Sequence, residues 1–147
     1  MDKYIPVVVT AAVGGFIALQ APINSMLGRN VGNFAAASIS FATGTVLLIA
    51  ITAVFAGGFG QIGELRNLSW YYLAGGVLGA AYVTTVLITV RSLGAGGVTA
   101  ATIAGQLTMA VLIDRAGVLG LEERGLTAQR LIGIALLAAG TFLIVRE

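Results

Sequence analysis

An all-α membrane protein with five transmembrane helices is the fold class the sequence predicts, and three observations predict it. Hydrophobic residues make up 58% of the 147 positions and charged residues only 10%, whereas ordinary soluble domains carry about 25% charged residues. Charge-free stretches recur at Tyr4 to Gly28, Asn30 to Gly63, Asn67 to Val90 and Ser92 to Ile113, and a helix needs about 20 mostly apolar residues to cross roughly 30 Å of hydrocarbon. The 21 glycines suit helices that pack closely in lipid.

A single transmembrane domain, 1–147, is expected, with helices over 4–28, 33–58, 68–90, 96–114 and 127–145. The first follows Lys3 and is too long for the apolar core of an ordinary signal peptide, so it is expected to stay in the membrane. "GRNVGN" separates it from the second, and "GGFGQIGELRNLS" the second from the third. Trp70, Tyr71 and Tyr72 open the third helix as an aromatic belt at the headgroup level. "RSLGAGG" divides the third from the fourth. In the last linker, "DRAGVLGLEERGLT", Thr127 is placed to cap the fifth helix. That helix has only 15 apolar residues between Arg130 and Arg146, and both arginines can reach toward the interfaces to complete the span.

Composition also excludes functions. The sequence has no cysteine and no histidine, which removes thiolate chemistry, the usual zinc motifs and the commonest proton shuttle. A net charge of +2 with singly scattered basic residues gives no footprint for nucleic acid. The "GAGG" of Gly94 to Gly97 lacks the lysine and preceding strand of a phosphate loop. No catalytic residue, metal site or cofactor is expected, and the chain is not read as an enzyme.

Five helices place Lys3, Arg66, Arg115, Arg124 and Arg130 on one side and Arg29, Arg91 and Arg146 on the other. Such a weak bias permits either a single orientation with the N-terminus inside or insertion both ways. Insertion both ways would generate an inverted repeat from one polypeptide.

Acids within spans usually mark function because burying them is costly. Here Asp2, Glu64, Asp114, Glu122, Glu123 and Glu147 all fall at expected termini or loops. Only Asp114 lies near enough to a span end to serve proton-coupled exchange. Neutral polar groups therefore carry any recognition, and they form strips at helical spacing. Gln20 and Asn24 share a face of the first helix, where Pro22 frees the carbonyl of Ala18. Asn33, Ala37, Ser40 and Gly44 line the second, Tyr82, Thr85 and Thr89 the third, and Thr99, Thr102 and Gln106 the fourth. Serine and threonine commonly bond their own helix carbonyls as packing glue. Primary amides hold more donors and acceptors than one helix satisfies, so Gln20, Asn24 and Gln106 are either solute or water ligands or bonds between helices. Gly75 with Gly79, and Gly97 with Ala101 and Gly105, read as packing faces.

"LEERGLTAQRLIGIALLAAGTFLIV" resembles the closing segment of drug/metabolite transporter superfamily repeats, and the seven-residue spacing of Gly133 and Gly140 is similar to the last helix of small multidrug exporters. With "LQAPINSMLGRNVGNFAAASISFATGT" and "RSLGAGGVTAATIAGQLTMAVLIDRAG", essentially the whole chain resembles the bacterial YdcZ-type family. The resemblance implies an inner-membrane half-transporter, one repeat of a ten-helix inverted-repeat fold, working as an antiparallel homodimer or beside a paralogous partner, with Gly133 and Gly140 at the dimer contact. Small multidrug exporters carry a glutamate in the first helix, where this chain has Gln20. Proton-coupled cation export is therefore not implied.

The expected function is alternating-access transport of a small neutral or zwitterionic polar solute, with Gln20, Asn24, Ser40, Tyr82, Thr85, Thr102 and Gln106 as ligands and Pro22 as a hinge. A passive pore and a non-transporting structural subunit are the alternatives. The expected partners are the lipid bilayer, the solute and a second protomer.

Overall fold

The computed structural model describes residues 4–146; Asp2, Lys3 and Glu147 lie outside the described residues. The described residues are helical and contain no strand. Four helices are present, α1 (Tyr4–Val31), α2 (Asn33–Phe55), α3 (Ala74–Ala116) and α4 (Ala128–Val145), with short 3₁₀ turns at Ile62–Asn67 and Trp70–Leu73. Each of the four is long and apolar enough to cross a membrane.

Helix ends follow local chemistry more closely than charge counting does. α1 runs past Gly28 to Val31, and Asn30 Nδ2 donates back to the Met26 carbonyl at 3.0 Å. Only Gly32, with φ 88°, separates it from α2. α2 stops at Phe55, ahead of Gly57 and Gly58, both at positive φ. The aromatic cluster opens the next segment as a 3₁₀ turn rather than as α-helix. There Tyr71 and Tyr72 stack at 4.7 Å and Trp70 is 82% exposed. Thr127 caps α4, its side-chain oxygen accepting from the Arg130 N–H at 3.3 Å.

α3 covers the third and fourth expected spans as two helices that meet at a kink within its 43 residues. Its two parts, 74–93 and 95–116, each rise about 30 Å at 1.5 Å per residue, the thickness of the hydrocarbon layer. Its helical geometry breaks once, at Gly94, with φ 67° and ψ 168°. That combination is accessible essentially to glycine alone, and it falls inside "RSLGAGG".

The chain forms two compact units, one of Leu19–Arg91 and one of residues 4–18 with 92–146. In the first, Ala37, Val83 and Leu87 form a buried cluster against which Tyr82 packs. The ring of Phe41 closes on Gly79, where a Cβ would lie 3.3 Å from it. In the second, Gly97 lets Val145 approach to 3.4 Å of its Cβ position. There Thr141 Oγ1 donates to the carbonyl of Ala100 at 3.1 Å, joining α4 to α3.

Candidate functional site

In the Leu19–Arg91 unit the polar residues gather on one face of α1. Its buried residues are Ala21, Asn24, Ser25 and Gly28, a spacing of three and four that makes a single stripe. Arg91 closes on that stripe. Its Nε–H donates to Ser25 Oγ at 3.0 Å, while Nη2 donates to the Ser25 carbonyl at 3.3 Å and to Asn33 Oδ1 at 2.7 Å. One guanidinium thus joins the end of α1, the start of α2 and the part of α3 ahead of Gly94.

Gly28 admits this arrangement. A Cβ there would lie 3.0 Å from Asn33 Oδ1 and 3.1 Å from Arg91 Nη2. By sequence Arg91 counts only as a loop charge, and Ser25 and Asn33 stand outside the expected ligands. Its partners are 66 and 58 residues away, a separation no helical periodicity connects.

The expected ligands divide between the units. Gln20, Asn24, Ser40, Tyr82 and Thr85 belong to the first, Thr102 and Gln106 to the second. Asn24 is only 6% exposed. Ser40, Tyr82 and Thr102 are half-buried, and Gln20, Thr85 and Gln106 are exposed. The polar strip of α2 lies along its inner side, with Asn33, Ser40 and Gly44 half-buried beside buried Ala36 and Ala37. Among the described residues none of the expected ligands makes a side-chain hydrogen bond. Neighbouring hydroxyls do: Ser38, Thr43 and Thr108 each donate to the carbonyl four residues earlier at 2.8 to 2.9 Å.

Pro22 sits half-buried inside the continuous helix α1. Gly133 and Gly140 on α4 have no atom within 4 Å of their Cβ positions. Asp114 at the end of α3 meets Arg130 at the start of α4, 3.2 Å apart, with side chains 30% and 27% exposed. Next to it Arg115 and Glu123 pair at 2.8 Å in the open. An apolar groove in the same unit runs between Ala101 and Ala104 on α3 and Ala138 and Phe142 on α4; it offers little to a polar solute.

These features define a multi-pass, all-helical integral membrane protein whose apolar helices carry unpaired neutral polar groups. A family model described as "Putative inner membrane exporter, YdcZ" matches residues 5–143, and the chain belongs to that family. It is accordingly a multi-pass inner-membrane protein of a transporter family. No curated protein and no solved structure matches the chain.

Proposed function

We propose that the protein is a secondary transporter of a small neutral or zwitterionic polar solute, working by alternating access as an antiparallel homodimer of five-span protomers. The observation that carries this reading is the unspent hydrogen-bonding capacity of Gln20, Asn24, Ser40, Tyr82, Thr85, Thr102 and Gln106 on otherwise apolar helices. A polar group left unpaired in hydrocarbon costs free energy, and a passing solute or water supplies the missing partner.

Five spans are supported by length, because the parts of α3 on either side of Gly94 each rise about 30 Å and match one crossing of the bilayer. Pro22 removes one backbone hydrogen bond from α1 and gives it a place to bend. The open Gly133 and Gly140 face supports close approach of a second protomer. Asp114 is held in an ion pair with Arg130. The family description as an exporter supports a carrier over an enzyme.

The test is a thermal-shift screen of the purified protein against polar metabolites, followed by flux in vesicles. A ligand at 100 times its dissociation constant adds about 2.7 kcal/mol of stability. Saturable counterflow that falls in Gln20→Ala and Gln106→Ala supports the carrier. Steady single-channel current would identify a pore. Intact flux with weakened dimerisation in the same variants would reduce these glutamines to structural contacts.

A further inference from the structure

We propose that Arg91 is an anion-receiving group at the mouth of the transport path and that the solute carries a carboxylate. The inference rests on the transport reading and narrows its substrate class from neutral or zwitterionic to carboxylate-bearing.

A guanidinium has five N–H donors. Ser25 and Asn33 take the Nε–H and both hydrogens of Nη2, and among the described residues Nη1 has no hydrogen bond. All three acceptors are neutral: a hydroxyl, a carbonyl and a carboxamide. The described ion pairs use Arg115 and Arg130, so no described carboxylate compensates the charge of Arg91. The guanidinium is held by its Nε and Nη2 contacts with the two N–H donors of Nη1 unspent, a charged donor left for an anionic group.

From Trp70 to Arg91 the chain rises about 30 Å at 1.5 Å per residue, the thickness of the hydrocarbon layer. With Trp70 at one headgroup boundary, Arg91 stands at the other, where an aqueous solute enters.

Asn24 is 6% exposed, and among the described residues its carboxamide has no hydrogen-bond partner. It shares a face of α1 with Gly28, the residue against which Arg91 Nη2 packs, and lies one turn, about 6 Å, deeper in the membrane. Gln20 lies about 6 Å deeper again. A solute whose carboxylate rests on Nη1 finds its next polar contact at Asn24. Ser25 and Asn33 are positioning residues that aim the guanidinium.

A phospholipid phosphate presents similar chemistry from the bilayer, so the experiment separates the two sources. Side-chain ¹⁵N resonances of the full-length protein are followed in phosphatidylcholine nanodiscs during titration with acetate, and again in nanodiscs containing phosphatidylglycerol. Arg91→Lys identifies the Arg91 signals by their loss. The expected result is a saturable shift of Arg91 Nη1 with acetate in phosphatidylcholine, with the Asn24 amide moving at the same midpoint. Asn24→Ala is expected to weaken acetate about tenfold, the scale of a hydrogen bond to a charged group, while the Nε signal of Arg91 stays in place and reports intact folding. A response to phosphatidylglycerol alone would make Arg91 a headgroup anchor and overturn the proposal. So would an acetate response that does not saturate. Vesicle flux of the screened solutes is read separately: flux without acetate binding rejects this site and keeps the transporter, whereas acetate binding without any flux does the reverse.

Discussion

Gly28 is the residue on which the polar end of the Leu19–Arg91 unit depends. A methyl group there would press on Asn33 Oδ1 and Arg91 Nη2 at 3.0 and 3.1 Å, and both atoms are already held by the 2.7 Å hydrogen bond between them. Gly28→Ala is therefore expected to destabilise the protein by about 1–3 kcal/mol, the usual cost of overpacking, read as a lower melting temperature in detergent. Gly14, with nothing within 4 Å, supplies the control and is expected to accept alanine without loss. Asp114 makes the opposite case. Its pair with Arg130 is about a third exposed, so Asp114→Asn is expected to cost less than about 1 kcal/mol and to leave flux in vesicles intact. Abolished flux would instead make Asp114 the coupling group.

At the scale of the elements, the chain passes between its two units at Ala18–Leu19 and at Arg91–Ser92. Both crossings lie beside a weakened stretch of helix. Pro22 has no N–H to offer the Ala18 carbonyl, and Gly94 leaves helical geometry just after Arg91. An L-residue at Gly94 would be held in a backbone region that costs of the order of 1–3 kcal/mol. Gly94→Ala is expected to lower the melting temperature accordingly and to slow counterflow more than it lowers solute affinity. A change in affinity alone would show that Gly94 does not bend during transport. α4 has no such weakness: Thr127 caps it, and Thr141 binds it to α3.

For the whole molecule the decisive quantity is orientation. Among the described residues Arg66, Arg115, Arg124 and Arg130 fall on one side of the five-span reading, and Arg29, Arg91 and Arg146 on the other. Several of these charges are engaged: Arg91 with Ser25 and Asn33, Arg115 with Glu123, Arg130 with Asp114, and Arg146 over the Phe142 ring at 5.5 Å. A bias of this size is weak by the rule that counts Lys and Arg near helix ends. A reporter fused to the C-terminus is expected on both sides of the membrane when the protein is expressed alone. Detection on one side only would exclude the antiparallel homodimer and leave a paralogous partner as the means of inversion.

The sequence by itself determined the membrane environment, the apolar helices, the break near Gly94 and the Thr127 cap. Each depends on local composition or on spacing within one helix, and each is legible along a single stretch. Family membership was legible too, because its motifs run through nearly the whole chain. Only the tertiary structure decided that Asn24 is enclosed while Gln20, four residues earlier on the same strip, is exposed. Helical periodicity says which residues share a face, but burial depends on what packs against that face. For the same reason the meeting of Ser25, Asn33 and Arg91 was hidden in the sequence: a hydrogen bond across 66 residues forms only after three helix ends converge.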